Sequence, residues 1–279
     1  MNQSTSEAVM RDSGWERDHP GGSAVVRTAS GKPDGMNAEE WSLRQRLAAA
    51  YRIADHLGWS LVIFNHITVR IPGPEHHFLI NPFGLRYDEV TASNLVKIDV
   101  DGNKVDDSPW AVNAAGFVIH AAIHREAPDA MVVFHTHTRE GMAVACSRSG
   151  LTNTNFYSAM LFDHVAYHDF EGVTTRMDEQ ERILASMGTK PLCILRNHGL
   201  LAHGRTIEEC FQRMWTLQLA CETQVATEAM GGGMIEISSQ ATEWSTKEAS
   251  LFGQEPNRGG MLFNALQRIV EEEDSSFLT

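Results

Sequence analysis

The chain has 279 residues, 42% of them hydrophobic, and a formal charge of −13; that length suits one sizeable domain with extensions, or two small domains. The acidic balance argues against sequence-independent binding to nucleic acid or an anionic membrane, and no apolar run is long enough to span a bilayer. Met1 to Gly35 lacks the apolar stretch of a secretory signal, and Cys146, Cys193, Cys210 and Cys221 show no paired spacing, so reduced thiols and a cytoplasmic location are expected.

Residues 1–36 are rich in Ser, Gly, Arg and Asp without an apolar period, which predicts a disordered tail. Asn37 is placed to cap a helix, with Glu40 three residues on to return the bond. Leu43, Leu47, Ala50, Ala54 and Leu57 recur at helical spacing, and Gly58 supplies a stop. From Leu61 to Val100 the period shifts to two: Ile67, Val69 and Ile71 alternate with His66, Thr68 and Arg70. Phe78 to Ile80 and Leu95 to Val100 read as further strands, and Asp101-Gly102 as a turn. Residues 114–126 are predicted helical up to Pro128, followed by a strand through His135 and His137. Helices are predicted over 139–148 and 177–187, with a buried strand from Leu192 to Leu195. Thr206 and Glu209 form a second capping box before a helix whose stripe is Ile207, Phe211, Met214, Leu217, Cys221 and Val225. Core packing explains that stripe. Gly231-Gly232-Gly233 ends the helix, residues 234–258 read as polar linker, and 260–273 as a short helix. The expected division is a tail over 1–36, a domain over 37–232 and an extension over 233–279. Strands flanked by helices, with an antiparallel first half, predict a three-layer α/β/α fold around a mainly antiparallel sheet.

The motif that carries chemistry is Met131-Val132-Val133-Phe134-His135-Thr136-His137, joined later by Leu195-Arg196-Asn197-His198-Gly199. In an extended strand positions i and i+2 share a face, so two imidazoles project side by side. A third brought up by the fold completes a three-nitrogen cradle for a divalent metal with one position open, the arrangement of a catalytic site. The plain alternative is an imidazole pair on a half-buried strand. Three neutral imidazoles suit zinc first, with Mn2+, Fe2+ or Ni2+ as alternatives.

Several segments together resemble the class II aldolase/adducin superfamily over about Trp41 to Gly231. They are Phe64-Asn65-His66-Ile67-Thr68-Val69-Arg70, Ile80-Asn81-Pro82-Phe83-Gly84, Asn113-Ala114-Ala115-Gly116-Phe117, His135-Thr136-His137-Thr138 and Arg196-Asn197-His198-Gly199-Leu200. The Asn-His-Ile-Thr and Asn-X-Ala-Gly-Phe segments are closer to the adducin head than to the sugar-phosphate aldolases. The resemblance implies the same α/β/α fold, commonly a C4 homotetramer with active sites at subunit interfaces. It also implies metal ligation by His135, His137 and His198, and a substrate site bordered by Asn65, His66, Gly84 and Gly116.

The chain departs from the aldolase pattern at telling positions. The aldolases carry their acid/base glutamate nineteen residues before the first metal histidine, and here that position is Gly116. Glycine transfers no proton, so the ordinary aldol mechanism loses its base. Asn65-His66 stands where the aldolases place Gly-Asn, Phe83 where they place a hydroxyl residue, and Ala114 and Ala115 where they place two serines. A phosphorylated sugar is therefore a poor fit. Tyr157, His164 and His168 lie in the segment from which an aldolase tyrosine reaches the neighbouring subunit, and are the candidate catalytic proton donors. His120 reads as a structural hydrogen-bonding residue; His76, His77, His124 and His203 read as surface or loop residues. Two functions follow. One is a metal-dependent carbon–carbon lyase, decarboxylase-like or aldol-type, on a small non-phosphorylated oxyacid. The other is a non-catalytic, adducin-head-like assembly module of the actin-binding kind, although the acidic C-terminus offers no electrostatic basis for actin.

Overall fold

The computed structural model describes residues 32–33, 36–127, 129–173, 176–252 and 259–279, so the tail predicted over 1–36 lies almost wholly outside the described residues. Helix α1 (Ala38–His56) starts where Asn37 accepts a hydrogen bond from the Glu39 amide and ends before Gly58, which takes the left-handed φ of 72°. Glu40 does not return the cap; its carboxylate binds Arg44 and Lys97 instead.

Seven strands form one sheet in the order β3-β2-β1-β4-β7-β6-β5. They are β1 (His66–Arg70), β2 (Phe78–Ile80), β3 (Val96–Ile98), β4 (Val132–Thr136), β5 (Val165–His168), β6 (Leu192–Leu195) and β7 (Gly199–Gly204). All pairs are antiparallel except β5 with β6, as the sequence predicts for a mainly antiparallel sheet. Strand β7 is not anticipated: the four residues Leu200 to His203 between two glycines carry no period that separates a strand from a helix fragment.

The strands alternate between two covered faces. Ile67, Val69, Val132, Phe134, Ile194 and Leu200 pack against α1 and the long helix α6 (Ile207–Ala229), through Leu47, Tyr51, Phe211 and Met214. Val133, Cys193, Leu195 and Leu201 point the other way, onto Ile119 and Ile123 of α2 (Ala114–Glu126) and Ile183 of α5 (Glu179–Met187). The three-layer α/β/α expectation therefore holds. Each fully buried aliphatic or aromatic side chain contributes about 1.5–3 kcal/mol of transfer free energy.

Against α6 pack α3 (Arg139–Cys146) and α4 (Phe156–Met160), the second too short for a period to register. The stretch read as polar linker contains a helix, α7 (Ser239–Phe252); residues 253–258 are outside the described set. Helix α8 (Gly260–Glu273) returns the chain to the core, where Phe263 and Phe277 are fully buried and the Ala92 amide bonds the Phe277 carbonyl.

Candidate metal centre

Two Asn-His pairs deliver imidazoles to one end of the central strands β1, β4 and β7. Asn65 (φ 70°) and Asn197 (φ 57°) both hold left-handed backbone, which asparagine tolerates better than most residues. Each turns the chain so that the next residue, His66 or His198, faces the α2 side. His66 pairs in register with His135 across β1 and β4. His137 lies just beyond the end of β4, and Gly199 opens β7.

The ring centroids of His135, His137 and His198 form a near-equilateral triangle with sides of 4.6, 4.8 and 4.8 Å. One nitrogen from each lies within 4.8 Å of the others, and Nε2 of His135 is 2.8 Å from Nε2 of His137. A tetrahedral zinc with bonds of about 2.0–2.1 Å holds its ligand nitrogens roughly 3.3 Å apart, which falls between those limits. The donor set therefore fits a divalent cation. Among the described residues no carboxylate or thiolate joins these three.

A backbone carbonyl fixes the first ligand. Nδ1 of His135 is 2.9 Å from the Leu200 carbonyl, which can only accept, so Nδ1 carries the proton and Nε2 presents its lone pair. A Cβ at Gly199 would overlap the Thr136 carbonyl and press on the rings of His137 and His135, so only glycine lets β7 approach here. Burial keeps all three imidazoles neutral. It lowers His135 well below the usual range, lowers His137 to about 4 with His198 adding to it, and lowers His198. Neutral imidazoles are the ligating form.

The predicted substrate residues divide. His66, buried at 4% exposure, stands 5.5 Å from His135 by ring centroids, and burial, then His137 and His198, lowers its pKa to about 3. Gly116 lies under its ring: a Cβ there would meet three His66 ring atoms at 2.8–2.9 Å. The space above the position without a glutamate is thus filled by His66. Asn65 is buried, and neither of its side-chain polar atoms has a hydrogen-bond partner. Gly84 sits in a loop at φ 103° with nothing within 4 Å of where a Cβ would be.

The candidate proton donors divide as well. Tyr157 packs edge-on against Trp215 of α6, on the hydrocarbon side. His164 lies in the turn before β5, half-buried. His168 alone shares a pocket with His198, of about 10 Å³, the size that holds one water. Ser186 donates to the Arg182 carbonyl, so its oxygen accepts from His168 Nδ1, and His168 Nε2 faces Glu179 at 3.6 Å and Glu171 at 4.0 Å. Burial raises the Glu179 carboxyl. Sequence reasoning missed Glu179; its position in the first turn of α5 carries no signal that points across to β5.

His124 is not a surface residue. It is 1% exposed and takes part with Thr68 and His120 in a buried hydrogen-bond chain. Its spacing of four from His120 on α2 was the available signal.

Comparison with known proteins gives the family of the chain. The sequence profile of the class II aldolase and adducin N-terminal domain matches residues 45–225. A Caulobacter vibrioides protein named for class 2 aldolases is 45% identical over 242 residues, 87% of this chain and 94% of that protein. Rat alpha-adducin is 46% identical over 196 residues, 68% of this chain but 26% of the adducin. An aldolase II superfamily protein from Pseudomonas syringae superposes with a TM-score of 0.85 at 40% identity, over 88% of this chain and 98% of that one. The L-fuculose 1-phosphate aldolase of Glaciozyma antarctica does so at 0.76 and 28% identity, over 92% and 99%. The chain belongs to the class II aldolase and adducin N-terminal domain family.

Proposed function

We propose that this chain is a metal-dependent carbon–carbon lyase acting on a small, non-phosphorylated oxyacid, decarboxylase-like or aldol-type, with His135, His137 and His198 holding the cation. The observation that carries this reading is the trio of neutral imidazoles within 4.8 Å, one of them tautomer-locked by a carbonyl. A cation bound there, zinc first among Mn2+, Fe2+ and Ni2+, supplies Lewis acidity toward a hydroxyl–carboxylate or hydroxyl–carbonyl pair. The protein's own groups do the rest. His66 and Asn65 border the open side. His168, which lines the same pocket as His198 and has Glu179 at 3.6 Å, is the residue assigned to pass the proton. Decarboxylation suits a site with no side chain at Gly116: the bond to the carboxylate carbon breaks, carbon dioxide leaves, the electron pair stays on the remaining carbon, and that carbon takes one proton. No prior proton abstraction is needed.

Assembly as a homotetramer with sites at subunit interfaces accompanies this reading. It is supported by the exposure of Phe156, Phe162, Phe170 and Val173 around α4 and the loop after β5. The four cysteines are free, in keeping with a cytoplasmic enzyme, and no helix among the described residues is long and apolar enough to cross a membrane.

The likeness to alpha-adducin favours a second reading, a non-catalytic assembly module. Metal content and turnover together separate the two. The purified protein, loaded with zinc or manganese, is screened with hydroxy acids and aromatic carboxylates for release of carbon dioxide or aldehyde. The lyase reading expects one metal per chain and turnover that chelator abolishes. A chain that binds no metal, or one metal without turnover of any acid, supports the assembly reading.

A further inference from the structure

On α2, Gly116, His120 and His124 follow one another at intervals of four residues and cover the face of β1 that carries His66 and Thr68. The hydrogens in that layer follow by elimination. The Ala130 carbonyl, 2.8 Å from His124 Nδ1, can only accept, so His124 Nδ1 bears the proton and its Nε2 accepts. Thr68 Oγ1, 2.7 Å from that Nε2, must donate to it. The same oxygen then accepts from His120 Nδ1, also at 2.7 Å. His120 Nε2 is left as a bare lone pair, buried and without a partner.

The ring beside that lone pair is His66, 4.1 Å away by centroids. Both nitrogens of His66 are buried without partners, as are both polar atoms of Asn65. These two residues and His120 hold five of the nine such atoms among the described residues, gathered on the side of β1 that meets His135. Unpaired buried polar atoms are costly and need a reason. A lone pair on His120 attracts the single N–H of a neutral His66. The other His66 nitrogen is then left with a lone pair, in a ring 5.5 Å by centroids from His135. A lone pair there accepts from a hydroxyl; it repels a carboxylate or carbonyl oxygen.

We propose that His66, with its tautomer set by the His124–Thr68–His120 chain and its position made possible by the missing side chain at Gly116, is the hydrogen-bond acceptor for the hydroxyl group of a bound 2-hydroxy acid. This deepens the metal-dependent reading above and rests on it.

The test uses the zinc-loaded full chain and isothermal titration with two probes, glycolate and methoxyacetate, which share a carboxylate and differ in having a hydroxyl proton to give. The wild-type preference for glycolate is expected to fall by about tenfold in His66→Ala, the worth of one neutral hydrogen bond. His66→Phe, which keeps the ring volume but has no lone pair, should lose the same preference. Thr68→Val, which breaks the chain without touching the site, should lose about two- to threefold of it. Zinc content should stay at one per chain throughout, measured by metal analysis. A preference kept within twofold by His66→Ala and His66→Phe at full zinc content overturns the proposal and leaves the metal reading standing. A wild-type chain that takes up no zinc overturns both, and metal analysis tells the two failures apart.

Discussion

The two faces of the sheet differ in one respect: both carry hydrocarbon clusters, but only the face under α2 adds a layer of buried imidazoles. The face under α1 and α6 is hydrocarbon: Ile67, Phe134 and Leu200 meet Tyr51, Phe211 and Met214, and Trp59 stacks on Phe211 at 5.6 Å. The face under α2 carries His66, Thr68 and His135 from the same strands, with His120 and His124 laid on top. Because side chains alternate along a strand, one residue of register divides packing from chemistry. The α1–α6 face supplies the stability that lets the α2 face hold four imidazoles out of water, an arrangement that costs free energy wherever their polar atoms lack partners.

The largest effect on stability should come from opening the hydrocarbon face. Phe211→Ala removes a fully buried ring that touches Trp59, Phe134 and Phe263, and should cost about 3–5 kcal/mol in urea unfolding. Zinc content per folded chain should be unchanged. Loss of metal in parallel with stability would mean that the faces are not separable.

Gly116→Glu probes the other face. The new Cβ collides with the His66 ring, so the variant should lose about 1–3 kcal/mol rather than gain a working carboxylate. Adding His66→Ala to it should recover most of that loss. A Gly116→Glu protein as stable as wild type would show that the ring moves aside freely.

Acid should expose the cost of the imidazole layer. Burial lowers the His124 pKa to about 3, against roughly 6.5 in the unfolded chain. Above pH 6.5 both states are neutral there and the residue contributes nothing. Below it the unfolded chain takes a proton that the native chain refuses, so stability falls between pH 6.5 and about 3. At pH 5 this residue alone should cost the metal-free protein about 2 kcal/mol relative to pH 7. His203, lowered to about 4 chiefly by burial, acts in the same direction. In His124→Gln the slope of stability against pH should drop by about one proton, read from urea midpoints at half-unit intervals. An unchanged slope would mean that His124 is charged in the native state.

What was legible in the sequence follows the same division. The stripe of α6 and the alternation in β1 are written in hydrophobic period, and the His135-X-His137 pair in spacing. Helix α7 was hidden because its exposed surface, Trp244 included, leaves no apolar stripe to read. The link between His66 and Gly116 joins positions fifty residues apart through the packing of α2 on β1, and no local pattern records it. His168 and Glu179 meet the same way, across β5 and α5, so a list of candidate donors in one segment held His168 beside Tyr157 without a means to separate them.

The smallest effect on stability should come with the largest on the metal. His198 sits in the β6–β7 turn, half-buried, and its ring contacts are His135, His137 and Phe170. None of the three hydrocarbon clusters includes it. His198→Ala should therefore change the unfolding free energy of the metal-free protein by no more than about 1 kcal/mol. Zinc uptake should nonetheless fall from one per chain to a small fraction, because two imidazoles on one strand end do not make a three-ligand site. The zinc-induced rise in Tm should disappear with it, since a ligand stabilises only the fold that binds it. Stoichiometric zinc and an unchanged rise in Tm in this variant would remove His198 from the ligand set. The bound ion would then rest on His135 and His137 with some other donor, and His66 would be the first to test.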